Sequence, residues 1–342
     1  PLPLTDLLDA AEPAWRLTPP SEARPPWLAA VVAGLAARIE QRINQTAAVS
    51  PVALVSMVLL AMPRQAMVAR DLQRQVALYQ RLLTAAPGGE ESWTTPLAPD
   101  EVLAYVARLG FTTRVEHPLG DIVQMSGDTA ILCTYPRNNV LHLFALPSLL
   151  ACAFLDAEEL PTADLLRLGG RVYPYIAEEL CLPWSEAELP AVMLTLLGLF
   201  VRLGLLTRDE GRDTWRRPVA GAVEAMQLSV LARAMLPAVQ RYYLVIATLM
   251  GAAPCTMTQA ALEARCQMMA SRIAVLYEFA SPEFSDRALF RAFIDLLRER
   301  SVIEVADDGT LGYGAVLEAV AADARSVLAE QIRHSILQVT HS

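Results

Sequence analysis

The 342-residue sequence contains no lysine; all 28 of its basic residues are arginine. That excludes the lysine of a nucleotide-binding phosphate loop and any Schiff-base chemistry. Aromatic residues amount to only 6%, too few to suggest the aromatic-lined cleft in which paired carboxylates cleave glycosides. The five cysteines are odd in number and form no Cys-x-x-Cys pair. Cys133, Cys152 and Cys181 sit among apolar neighbours and read as small buried hydrophobes in a reducing compartment, so neither a metal nor a cofactor is expected. A basic segment followed by an apolar core is missing from the first residues, so no signal peptide is expected. No stretch reaches the roughly 18–20 uninterrupted apolar residues of a membrane-spanning helix. The nearest candidates, Leu141–Leu155 and Ala191–Leu206, are interrupted by His142 and Pro147 and by Arg202. Basic excess is absent too: a net charge of −9 argues against a nucleic-acid partner, which needs a cationic stripe to neutralise phosphates. The chain opens at Pro1 without an initiator methionine, and truncation or processing is the expected origin of that end.

What is present favours packed helices. Apolar residues reach 54% in a Leu/Ala/Val-rich balance, and a chain of this length can bury roughly three quarters of its surface. The expected class is mostly α, multi-helical with several short β-hairpins arranged as winged-helix-like units. Residues 1–26 carry Pro1, Pro3, Pro13, Pro19, Pro20, Pro25 and Pro26 and read as a linker holding one short helix near Thr5–Ala11. Helical spacing runs from Trp27 to Gln45 through Leu28, Val31, Val32, Leu35, Ile39 and Ile43. Ser50-Pro51 supplies a cap and a first-turn proline for a helix reaching Met62. Another follows from Met67 to Ala85, before a loop opened by Pro87-Gly88-Gly89.

One pattern then recurs. A helix over Asp100–Leu109 closes at Gly110 and leads to strands over Phe111–Glu116 and Asp121–Tyr135. A helix over Leu189–Leu203 closes at Gly204 and leads to Leu205–Thr207 and Asp213–Arg216. A helix over Arg287–Arg300 leads to Ser301–Val305 and Leu311–Tyr313 around Asp307-Asp308-Gly309. Such turns between β-prone runs are hairpin signals. Further helices are predicted over Asn138–Leu155, Ala163–Leu180, Ala220–Leu249, Met257–Tyr277 and Tyr313–Gln338. The expected division is therefore a linker at 1–26, a winged-helix-like unit at 27–135, and a region at 136–342 with two further helix–hairpin units.

Tyr135, Arg137, Asn138, Asn139 and His142 form the most concentrated polar cluster inside an apolar run. With a helix starting near Asn138, the asparagine would cap it and share a face with His142 at i, i+4. That face could dock on another domain or lie near a ligand; equally, its arginine could pair with a carboxylate and its histidine be satisfied in the core. His117-Pro-Leu-Gly-Asp121 reads as a hairpin turn. The acidic pairs Glu158-Glu159, Glu178-Glu179 and Asp307-Asp308 read as solvated ends of elements. Arg208, Arg212, Arg216 and Arg217, interleaved with acidic residues, read as a solvated wing or as a contact for anionic lipid head groups.

The run Thr134-Tyr-Pro-Arg-Asn-Asn-Val-Leu-His142, followed by Leu146-Pro147-Ser148-Leu149, resembles a segment of the bacterial membrane-bound glycerol-3-phosphate 1-O-acyltransferases. Further patches resemble that family in the same order: Pro1-Leu-Pro-Leu4 with Leu7-Leu8, Pro26-Trp27-Leu28 with Arg42-Ile-Asn44, Arg171-Val-Tyr-Pro174 with Glu178-Glu179-Leu180, Glu188-Leu-Pro190, and Ser281-Pro-Glu-Phe284. The resemblance implies a parent enzyme that moves a fatty acyl group from acyl-CoA or acyl carrier protein to glycerol 3-phosphate. It implies a peripheral place on the cytoplasmic side of the inner membrane. The family's catalytic His-x-x-x-x-Asp motif has no counterpart here, since Ile122, Pro147 and Val339 stand five residues after His117, His142 and His334 and His341 is next to last. The expectation is a C-terminal region whose catalytic residues lie upstream of residue 1 and whose partner is that upstream acyltransferase domain. The alternative is a freestanding interaction or membrane-surface module.

Overall fold

The structure, a computed structural model, describes residues 4–17, 24–87, 92–276 and 282–327. Several sequence features lie outside the described residues: Pro1, Pro3, Pro19, Pro20, Gly88, Gly89, Tyr277, Ser281, the last helix beyond 327, and with it His334 and His341.

Helix α1 (Thr5–Ala11) and helix α2 (Leu28–Gln45) pack on each other at the N-terminal side. Ser50 starts α3 (Pro51–Leu59), its Oγ accepting from the Ala53 N–H at 3.2 Å. The strand β2 (Ala66–Val68) leads into α4 (Ala69–Ala85), and α5 (Pro99–Arg108) leads into β4 (Thr113–Val115) and β5 (Ile122–Gln124). These strands form an antiparallel sheet in the order β2-β5-β4. Two-residue strands β1 (Ala48–Val49) and β3 (Trp93–Thr94) run parallel beside it in sequence.

The same arrangement recurs. Helix α6 (Gly127–Cys152), β6 (Glu159–Pro161), α7 (Thr162–Leu180), α8 (Leu189–Arg202), β7 (Thr207–Asp209) and β8 (Thr214–Arg216) give a sheet ordered β6-β8-β7. After α9 (Val223–Ala232), the third set is α10 (Leu236–Met250), α11 (Gln259–Leu276), α12 (Arg287–Glu299), β9 (Ile303–Val305) and β10 (Leu311–Tyr313). Its first strand is reduced to residues 255–258, tied to β10 by Cys255 N–H to Leu311 O (2.9 Å), Leu311 N–H to Met257 O (2.8 Å) and a Thr258–Thr310 bridge. Helix α13 (Ala315–Val327) closes the described chain against α10 and α7.

Three winged-helix-like units thus follow one another, their third helices beginning at Pro99, Leu189 and Arg287. Each of these helices ends on a residue in the left-handed region: Gly110 (φ 77°), Gly204 (φ 78°) and Ser301 (φ 56°). The next N–H reaches back five residues each time, from Phe111 to Val106 O, Leu205 to Phe200 O and Val302 to Leu297 O. This is the helix-closing geometry that glycine accepts without a Cβ penalty and serine does not.

The units share one hydrophobic core, a single cluster of buried side chains running from Val49 to Ala321. Helix α6 packs on α3 and α9, and Tyr79 of α4 meets Phe144 of α6 with ring centroids 4.7 Å apart. The expected strand through Asp121–Tyr135 is corrected here: only Ile122–Gln124 is strand, and α6 begins at Gly127. Ser126 is the residue that caps α6, its Oγ accepting from Thr129 N–H at 3.3 Å, so Asn138 is not a cap. Residues 135 and 136 both lie inside this helix, which tolerates Pro136 and Pro147 at the cost of two intrahelical bonds. The single helix expected over Ala220–Leu249 is two, broken at residues 233–235 ahead of Pro237 in the first turn of α10.

Candidate functional site

The five cluster residues occupy two turns of α6 and do not converge. Tyr135, Asn138 and Asn139 are exposed, and Arg137 and His142 are half-buried. Two exposed apolar residues one turn earlier, Ile131 and Leu132, extend the exposed strip around Tyr135. Asn138 and His142, although i, i+4, line different cavities.

His142 faces the junction of α2 and α7. Its Nε2 lies 2.9 Å from the carbonyl oxygen of Asn44, which accepts, so Nε2 carries the proton. Burial depresses the imidazole below its ordinary value, and the Asn44 carbonyl only partly opposes that. The Asn44 side chain donates to the carbonyls of Leu180 (2.8 Å) and Cys181 (3.3 Å) at the end of α7. Cys181, in the left-handed region at φ 50°, donates its thiol to Glu40 at 3.0 Å. Burial and then the Glu40 carboxylate push that thiol up to about 12, leaving it unreactive as a nucleophile. A neutral histidine and a protonated thiol make this junction a latch between helices.

Arg137 and Asn138 face the other cavity, an open cleft of about 310 Å³ shared with Glu179, Arg241, Pro237 and Asp286. Arg137 donates through Nε (3.0 Å) and Nη2 (2.8 Å) to Asn138 Oδ1. Below them lies an ion pair. The side chain of Arg241 on α10 is 3% exposed, and its Nη2 donates to both oxygens of Glu179 at 2.5 and 2.6 Å. Tyr242 donates its hydroxyl to the same carboxylate at 2.6 Å. Burial, and next the negative charge of Glu179, hold the Tyr242 phenol well above its ordinary range. The Arg241 Nε is buried without a partner among the described residues, which marks the pair as imperfectly satisfied.

The reading of Glu179 as a solvated helix end is therefore corrected: Glu178 is exposed, but Glu179 turns in to neutralise Arg241. The available signal was Arg241 itself, a charge within the apolar run Leu236–Leu249 that must find a counter-ion. His117 and Asp121 form no dyad. The His117 Nδ1 accepts from Leu119 N–H at 3.2 Å, and Asp121 is held by Arg114 at 2.6 Å. Three of the four wing arginines are also paired: Arg208 with Asp213 and over the Trp215 ring, Arg212 with Asp209, Arg216 with Glu159. Among the described residues no three His, Cys, Asp or Glu side chains converge as a metal site requires. Nor is any described helix long and apolar enough to cross a membrane.

The fold and this polar cluster define a class: a helical region of three tandem winged-helix-like units bearing latches and ion pairs between helices, without a catalytic dyad among its described residues. Comparison with known proteins gives the family. The sequence profile described as "Glycerol-3-phosphate acyltransferase C-terminal region" matches residues 1–306, and the chain belongs to that family. It is 38% identical over 344 residues to a glycerol-3-phosphate acyltransferase of Xanthomonas campestris pv. campestris, covering 99% of this chain and 39% of the relative. A protein of the same name from Xylella fastidiosa (strain 9a5c) is 36% identical at 99% and 39% coverage. One from Pseudomonas syringae pv. tomato is 35% identical at 99% and 41%. The chain therefore spans about two-fifths of the length of the curated relatives it matches.

Proposed function

We propose that this chain is the non-catalytic C-terminal region of an enzyme that transfers a fatty acyl group from acyl-CoA or acyl carrier protein to the sn-1 hydroxyl of glycerol 3-phosphate. The observation that carries the reading is the family match over residues 1–306 in a chain that covers 39% of its relative. In that reaction a histidine takes the proton of the attacking hydroxyl and a carboxylate orients the histidine. The described histidines do not fit that role: His142 donates a hydrogen bond to a backbone carbonyl, and His117 sits in an exposed turn. The general base and its carboxylate then belong to an upstream acyltransferase domain. This region serves as the scaffold on which that domain rests, peripherally, at the cytoplasmic face of the inner membrane.

Winged-helix-like units invite a nucleic-acid reading, and the third helices weigh against it. Helix α5 begins with Asp100 and Glu101, and α8 carries one basic residue, Arg202. On α12, Arg287 and Arg291 are bound to Glu263 at 3.0 and 3.1 Å, and Arg298 to Asp295 at 3.3 Å. A groove-reading helix needs guanidinium groups available to phosphates and base edges.

The test has two parts. The purified 342-residue chain, given glycerol 3-phosphate and acyl-CoA, should form no lysophosphatidate above blank; a rate above blank overturns its non-catalytic role. In the source cells, an antibody to this chain should detect a polypeptide far heavier than 37.3 kDa. A band at 37.3 kDa would replace the enzyme reading with a freestanding module.

A further inference from the structure

Helix α2 is anomalous for its length. Of its 18 residues only Val31 is buried. It is held at two places. Near its C-terminal end, Asn44 and Glu40 bind His142, Leu180 and Cys181. Along another side it packs on α1, where Arg38 binds Asp6 at 2.7 Å and Leu7 lies against Gly34. A third side is left exposed among the described residues. Val32, Ile39 and Ile43 are 56%, 41% and 65% exposed, and Ala36 between them is exposed as well.

The spacing of these four is the informative part. Steps of four, three and four residues place them in one narrow stripe, the seam by which one helix packs along another. Glu40 and Arg42 flank it with charges of opposite sign. A helix lying on a bilayer often presents Trp, Phe or Leu and a strongly basic polar face; the exposed side chains of this stripe are Val, Ala and Ile, and Glu40 offsets Arg42 beside it. A seam of this kind takes one apolar-striped helix.

We infer that α2 is the docking helix for the rest of the polypeptide, and that a helix of the acyltransferase part seats along Val32, Ala36, Ile39 and Ile43. The inference rests on the function proposed above and adds the contact surface. About three-fifths of the relatives' length lies outside the matched region, and the family description assigns the matched part to the C-terminal region. In sequence, α1 and α2 are the described elements nearest that remainder, and the stripe on α2 is exposed among the described residues.

The test is amide hydrogen exchange on the native full-length polypeptide and on its I39E/I43E variant, with L119E as the control. Leu119 is 91% exposed at the tip of the first wing, so its replacement leaves α2 alone. Docking predicts that peptides over 28–45 exchange at least about tenfold faster in I39E/I43E, while peptides over 236–249 and the whole L119E variant remain at the parental rate. Three results overturn it: 28–45 exchanges equally fast in parent and variant; its protection appears only with phosphatidylglycerol vesicles, which assigns the stripe to a membrane; or protection rises with protein concentration, which assigns it to a second copy. A native polypeptide of 37.3 kDa overturns the proposed function and the docking together. A long polypeptide with an unprotected α2 overturns only the docking.

Discussion

Helices α10 and α2 are of similar length and both rich in apolar residues, yet 13 of the 15 residues of α10 are buried and one of the 18 of α2 is. Helix α10 lies at the centre of the third unit, against α11, α12 and α13, and even its charge, Arg241, had to find a partner inside. Helix α2 has the pattern of a packed helix with half its packing absent. Apolar periodicity states that a face will be covered; it does not state that the covering element lies in the same segment of chain.

The largest way to break that contrast is at Arg241. Arg241→Leu leaves Glu179 and the Tyr242 hydroxyl without their cation and should cost about 3 kcal/mol, read as a lowered denaturation midpoint at constant slope. Adding Glu179→Leu should recover most of the loss, because an apolar pair of similar size suits a buried site as well as an ion pair does. Glu263→Ala should cost less, about 2 kcal/mol, since its partners Arg287 and Arg291 are 45% and 58% exposed and screened by solvent. Burial alone would raise the Glu263 carboxyl, but Arg291 and Arg287 outweigh it and hold it below 4.5. Its stabilising contribution is therefore present above pH 4.5 and lost as pH falls through the depressed folded value.

The latch between α2 and α6 gives a smaller, pH-dependent effect. The folded state keeps His142 neutral below the ordinary 6.5 at which the unfolded chain takes up a proton. Stability should fall as pH drops beneath 6.5, by at most about 1.4 kcal/mol per pH unit until the ring protonates in the folded chain. His142→Gln should flatten that part of the profile, followed by thermal melts from pH 7 to 5. The smallest effect belongs to α2: Ile43→Ser in the 342-residue chain should change stability by no more than about 0.5 kcal/mol, because Ile43 is 65% exposed. A large loss would mean that the stripe is already packed.

Much of this architecture is legible in the sequence where the signals are local. Gly110 and Gly204 end their helices, the Asp-Gly and Glu-Gly turns lie in wings, and Ser50-Pro51 starts α3 where cap chemistry places it. Ser301 carries the same left-handed backbone without the glycine that would announce it. What stays hidden is non-local. Three-residue strands β2 and β6 exist because β5 and β8 lie beside them, and nothing in Ala66–Val68 alone states that. The run Ile131–Tyr135 ahead of Pro136 is β-prone by composition, but the Ser126 cap and the packing of α6 on α3 and α9 prevail. The Glu179–Arg241 pair joins residues 62 apart in sequence, so Arg241 could be recognised as needing a carboxylate while its partner could not be named.

Helix α6 can also be regarded as a beam. Its 26 residues span about 39 Å, clamped at the inner end by the buried run Phe144–Cys152 and pinned near its middle by the His142 latch. Each proline deletes a rung of the hydrogen-bond ladder and softens the beam locally. Pro147 is locked within the clamp, whereas Pro136 is half-buried beside exposed Tyr135, between the core residues Cys133 and Val140. A load on the exposed strip around Tyr135 therefore meets a soft joint whose two sides, at Cys133 and at Val140, are both anchored in the core.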